Sequence, residues 1–221
     1  MWVEQAIFTS MARRGLSGYH VVASSPGVSE SETTSLMTWS PSHGALLVDA
    51  LNRTSVNFHP LPGGRYALSR TCEGPPEYSG RGGRQLYTHA LVLDEDHLRQ
   101  AGRRPISLYW AALALGILRH QADPDAVLKP VKLPSVYFQG GVPGWQSRAR
   151  EIGLPPLEPL RDKLASGQAI TVPYLGNRIV LAEYLLGTLP SELVPLVSFT
   201  TSLQPSAVRP YRLSLVNDPA A

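Results

Sequence analysis

The sequence predicts an α/β (α+β) chain with an antiparallel, hairpin-rich first half and a strand–helix–strand second half. Three observations predict it. Two pairs of β-rich runs flank turn chemistry, 2–10 with 18–24 and 55–60 with 65–71. Helix-start chemistry recurs at Ser29, Asp94 and Pro105. A short β-rich run at 169–174, a helix opening at Asn177 and two further β-rich runs close the chain.

Each element has its own local reason. Residues 2–10 mix Val, Ile, Phe and Thr, and 18–24 read GYHVVAS, with Gly15 in the connecting loop. Ser25-Pro26-Gly27 makes a turn, and Ser29 with Glu32 forms a capping box that opens a helix to about Met37, ended by Ser40-Pro41. Residues 55–60 and 65–71 form a second hairpin across Pro62-Gly63-Gly64. Residues 72–84 read as a glycine-rich loop and 85–93 as a buried strand. Asp94 caps a short helix to Gln100, and Pro105 starts an apolar, central helix to about His120. Residues 121–147 are rich in Pro and Gly. Helices near 157–166 and from Asn177 to Thr188, and strands at 169–174, 194–201 and 208–216, complete the order. This gives a hairpin-rich lobe at 1–120, a loop-rich seam at 121–147 and a smaller α/β lobe at 148–221, either separate or packed as one domain.

Composition bounds the function. The chain has 221 residues, 43% hydrophobic and 17% charged, an ordinary globular balance. Its formal net charge is +3, which permits an anionic partner without the dense basic stripe of a nucleic-acid binder. One cysteine, Cys72, excludes an internal disulfide and fits a reducing, cytoplasmic setting. The start MWVEQAIFTS lacks the basic-then-apolar order of a signal peptide. The most apolar stretch, 106–118, falls short of the ~20 residues of a membrane span.

The most unusual segment runs Gly74-Pro75-Pro76-Glu77-Tyr78-Ser79-Gly80-Arg81-Gly82-Gly83-Arg84. Glycines allow backbone N–H groups to line up as an anion nest, and Arg81 and Arg84 can add charge-assisted contacts. Alternatively, Glu77 pairs with Arg81 or Arg84 and fixes a purely structural loop. The lysine and spacing of a phosphate-binding P-loop are absent. Tyr87 and His89 lie two apart on the following strand and share a face. The candidate partner- or anion-binding residues are therefore Glu77, Tyr78, Ser79, Arg81, Arg84, Tyr87 and His89, with contact by the arginines and loop fixing by Glu77 and Tyr78. Cys72 beside His89 or His59 would be a nucleophile, but a lone Cys with a distant His more often packs as a small apolar residue. The histidines lack metal-ligand spacing. Asp94/Asp96 and Asp123/Asp125 sit in turns. The hydroxyl-rich run 198–206 serves backbone groups more often than a phosphate. No catalytic residue, cofactor or metal site is expected.

The runs E-Q-A-I-F-T-S, G-Y-H-V-V-A-S-S-P-G-V, L-S-R-T, E-Y-S-G-R-G-G-R-Q-L-Y-T-H-A-L-V-L, S-F-T-T-S-L-Q-P-S and R-P-Y-R-L resemble the bacterial GTPase-associated protein family, in its second type of N-terminal domain. The likeness extends from about Val3 to Leu213, with E-Y-S-G-R-G-G-R as its most specific part. The resemblance implies a regulatory or recognition module of a bacterial NTP-dependent conflict system, with a GTPase or another protein of that system as partner and no catalytic residues to carry over. It also implies that the domain usually opens a longer protein. The element order is weakly similar to longin/DENN-type GTPase regulators. The alternatives are a hydrolase or transferase using Cys72 or a serine with His89, and a nucleotide or nucleic-acid sensor.

Overall fold

A computed structural model describes residues 1–13, 15–77, 83–134 and 144–217. Strand β1 (Trp2–Ser10) and strand β2 (Tyr19–Ser24) form the first hairpin, with a register shift between Ile7 and Phe8. Helix α1 (Glu30–Trp39) starts at the expected capping box: the Glu32 N–H donates to the Ser29 hydroxyl, and the Ser29 N–H donates back to the Glu32 carboxylate at 2.8 Å. Strand β3 (Thr54–Pro60) and strand β4 (Tyr66–Pro76) form the second hairpin. Their turn needs φ +75° at Gly63 and +74° at Gly64, which glycine adopts without steric cost.

Strand β5 (Arg84–Leu93) pairs with both β4 and β1, which places it near the middle of the sheet. Residues 72–76, expected as loop, belong to β4, with Pro76 opposite Arg84 after a register shift beyond Glu73. Gly74 favours this: a Cβ there would lie 2.9 Å from Gln85 Cγ, so a larger residue would push the Gln85 side chain aside.

Helix α2 (Glu95–Gln100) is capped by Asp94 as expected. Helix α3 (Pro105–Ala114) stops well before His120. Gly116 takes φ +70° and the Ile117 N–H reaches the Ala112 carbonyl at 3.0 Å, the closure of a glycine-terminated helix. Within the expected seam, strand β6 (Val131–Lys132) pairs with Trp2 and Val3, and helix α4 (Trp145–Glu151) begins. Helix α4 packs through Trp145 on a later glycine, Gly187, where a Cβ would meet the indole at 2.8 Å.

Helix α5 (Glu158–Ala165), strand β7 (Ile170–Pro173) and helix α6 (Arg178–Gly187) match expectation, with Asn177 accepting from the N–H groups of Ile179 and Val180. Two later strands are shorter than expected. Val194–Leu196 forms a 3-10 turn around Pro195, leaving strand β8 as Phe199–Thr200. Strand β9 spans Leu213–Val216, starting after Pro210, which has no N–H to pair.

Among the described residues the sheet has nine strands, in the order β2-β1-β5-β4-β3-β8-β9-β7 with β6 beside β1. It is antiparallel through the first half, and β9 pairs parallel with both β7 and β8. The fold is α+β with a strand-rich N-terminal half. One face carries Leu68, Leu91 and Phe58 against Leu108, Leu181 and Leu185 of α3 and α6. The opposite face carries small residues, Ala6, Ala67 and Ala90, which let α1 approach through Leu36. Beyond α1 that face is polar and satisfied: Asn57 Oδ1 accepts from Ser55 and Thr200 at 2.7 Å each, and its amide donates to Ser69 and Thr71. Arg178, 0% exposed, donates to the Leu47 carbonyl at 2.9 Å and pairs with Asp49 at 3.0 Å, tying the 45–52 segment to α6. No helix among the described residues is long and apolar enough to cross a membrane.

Candidate functional site

The β4–β5 hairpin carries the described sequence candidates. Tyr78, Ser79 and Arg81 lie outside the described residues. Glu77, Arg84, Tyr87 and His89 lie within them. The Glu77 N–H donates to the Gly83 carbonyl at 3.1 Å and closes the hairpin stem. The Glu77 carboxylate accepts from Ser10 Oγ at 2.5 Å. It also lies beside the Tyr19 phenol, whose pKa is raised chiefly by burial, with Glu77 adding to the shift. Tyr19 in turn accepts from the Leu86 N–H at 2.9 Å. Glu77 is thus anchored to β1 and β2.

Arg84, which the sequence offered as a partner for Glu77, instead has its Nε 3.7 Å from a Glu73 oxygen. Both side chains are about half exposed, so this pair contributes little to stability and leaves the guanidinium accessible. Gly83 takes φ +84°, and a Cβ there would lie 2.2 Å from the His43 ring. His43 Nδ1 lies 3.2 Å from the Arg84 carbonyl, fixing the backbone on which Arg84 stands.

Tyr87 and His89 stand opposite Cys72 and Arg70 across the strand pair, so all four side chains point to the α3 face. They share a face, as their spacing predicts. Both are buried, and no hydrogen bond or ring contact joins either of them to Glu77 or Arg84. His89 Nε2 is 2.7 Å from Gln5 Oε1, and burial lowers the His89 pKa to about 4, so the ring is neutral near pH 7. Burial raises the Tyr87 phenol. The Tyr87 ring meets the His120 ring at 4.6 Å.

Beside the hairpin stem, on this same face, a cleft of 460 Å³ opens between the start of β3, β4, the start of β5 and the segment after α3. It is lined by Arg53, Thr54, Arg70, Cys72, Glu73, Arg84, Leu113, Leu118, Arg119 and His120. Four guanidinium groups against one carboxylate leave a formal excess equal to the +3 of the whole chain. Arg70 forms part of the floor: its Nη1 donates to the Leu118 carbonyl at 3.0 Å and reaches Cys72 Sγ at 3.7 Å. Burial raises the Cys72 thiol pKa, and the opposing effect of Arg70 is the smaller one. Burial and then the Arg70 charge lower the His120 pKa. Cys72 is therefore a protonated thiol held by an arginine. Among the described residues no group of three His, Cys, Asp or Glu side chains could hold a metal ion.

Arg53, Arg119 and His120 carried no signal in the sequence, and Arg70 stood out only within the L-S-R-T run. They come from three separate segments, and the one available clue was the spacing of Arg70 and Cys72 on a common face.

The family model for GTPase-associated protein 1, N-terminal domain type 2, matches residues 2–134. The chain belongs to that family. The match takes in β1 to β6, α1 to α3, every sequence-derived site residue and the whole lining of the cleft. The hydroxyl-rich run at 198–206 and the R-P-Y-R-L run lie beyond the part matched to this GTPase-associated family. No curated protein and no solved structure matches the chain.

Proposed function

We propose that the chain is a non-catalytic interaction and regulatory module of a GTPase-linked bacterial conflict (defence-like) system. It acts in the cytoplasm and contacts a GTPase or another protein of that system through the glycine–arginine segment between β4 and β5. Membership of the GTPase-associated family is the observation that carries this reading. The stem of the hairpin supports it. Glu77 is tied to Ser10, Gly83 is packed on His43, and Arg84 keeps about half of its side chain in solvent. A rigid stem with an accessible arginine presents charge to a partner at low entropic cost. The protonated Cys72 thiol and the neutral, sheet-bound His89 fit core roles better than a nucleophile and its base.

The test is a pull-down from the native host with the wild-type chain and the Arg81→Ala/Arg84→Ala variant, read by mass spectrometry. A GTPase recovered by wild type and lost by the folded variant supports the module and its contact surface. Recovery of no GTPase by either protein contradicts it.

A further inference from the structure

We propose that the arginine-lined cleft beside the hairpin binds a small molecule carrying a di- or triphosphate group. Its volume, 460 Å³, falls within the roughly 300–1,000 Å³ of small-ligand sites. Arg53, Arg70 and Arg119 line one cleft whose lining includes a single carboxylate, Glu73, and an anion there offsets the repulsion among them. Arg84 is matched by Glu73, but Arg53 and Arg119 have no hydrogen bond or ion pair from their guanidinium groups among the described residues. Arg70 is held in place by the Leu118 carbonyl, so its orientation is set before any ligand arrives. Planar guanidinium groups from separate segments are suited to bidentate contact with phosphate oxygens.

Charge density favours a phosphate chain over an acidic peptide. An excess of +3 in this volume is balanced by one di- or triphosphate, whereas a peptide would have to bring several carboxylates into the same small space. Leu113 and the exposed His120 ring offer a less polar wall for an organic group attached to the phosphates. This inference does not rest on a GTPase partner. It concerns Arg53, Arg70 and Arg119, outside the segment assigned to partner contact.

The test is calorimetric titration of the full chain with GTP, ATP and inorganic triphosphate, at about 50 and 200 mM salt. Saturable one-to-one binding that weakens with salt is expected. Tighter binding of a nucleotide identifies the nucleotide as the source of the phosphate group, and equal affinities identify inorganic polyphosphate. Arg53→Ala/Arg119→Ala should lower affinity at least about tenfold with an unchanged melting temperature, since both side chains are exposed. Arg53→Glu alone should do the same. The double variant should still capture the GTPase, which separates failure of ligand binding from failure of the partner reading. Failure of all three probes to saturate at millimolar concentration would overturn the proposal. So would wild-type affinity in the variants, or a single-stranded RNA that outcompetes every probe.

Discussion

Arg70 Nη1 lies 3.7 Å from Cys72 Sγ and 3.0 Å from the Leu118 carbonyl, so one guanidinium joins β4 to the segment that follows α3. Burial, opposed by this contact, sets the state of the single cysteine. A nearby positive charge favours the thiolate, but burial disfavours it more, and the balance leaves the thiol pKa above its ordinary value. Cys72 should react with a disulfide reagent at pH 7 at least about tenfold more slowly than an exposed thiol. Unfolding in urea should restore the full rate. Rapid modification of the folded chain would contradict this assignment.

Two buried histidines should make the chain acid-sensitive above the usual carboxylate range. His59, stacked on Trp39 at 4.6 Å, and His89, bonded to Gln5, both have pKa values lowered to about 4 by burial. The unfolded chain takes up these protons near pH 6.5 and the folded chain only near pH 4. Stability is therefore full above about pH 6.5 and is lost as pH falls towards 4, by roughly 3 kcal/mol for each histidine. Glu32 and Asp49, whose pKa values are lowered, lose their contribution only as pH falls below their ordinary carboxylate values. Urea denaturation between pH 7 and pH 4.5 should show the fall, and His89→Gln should remove about half of it, leaving the part due to His59. A stability that is level over this range would contradict the buried neutral state.

Glu32 holds both ends of a local assembly. Its carboxylate accepts from the Ser29 backbone and hydroxyl at 2.8 Å each and from Arg65 Nε at 2.6 Å, with a second contact from Arg65 Nη2. Its side chain is 3% exposed. Removing it leaves a cap donor unsatisfied and Arg65 without its counter-charge. Glu32→Ala should cost about 2–4 kcal/mol in chemical denaturation, and Glu32→Gln less, because the amide still accepts at the cap. A loss below about 0.5 kcal/mol would show that this pair is not what seats α1.

What could be read from the sequence was chemistry that completes itself within a few residues. The Ser29–Glu32 box, the Asp94 and Asn177 caps and the Pro62-Gly63-Gly64 turn each satisfy local backbone groups, and each stands where expected. The misjudged boundaries depend on distant partners. Gly74-Pro75-Pro76 looks like a break in the chain, yet β5 supplies the pairing that makes it strand, with glycine sparing a clash with Gln85. Gly116 ends α3 through a turn that an apolar run conceals. The candidate site divides the same way. The arginine-bearing segment announced itself by composition, and the shared face of Tyr87 and His89 followed from strand spacing. Arg53, Arg70 and Arg119 line one cleft only because the residue before β3, β4 and the post-α3 segment lie side by side, and their local sequence does not record that.

If this member of the GTPase-associated family recognises its partner through the segment between β4 and β5, removing the arginines of that segment weakens binding. The most direct measurement is the affinity of the purified chain for the GTPase recovered from the native host. Wild type and Arg81→Ala/Arg84→Ala would be compared at matched melting temperature. The double variant should lose at least about tenfold in affinity, as expected when charge-assisted contacts are removed from an interface. Equal affinity of the two proteins would contradict it.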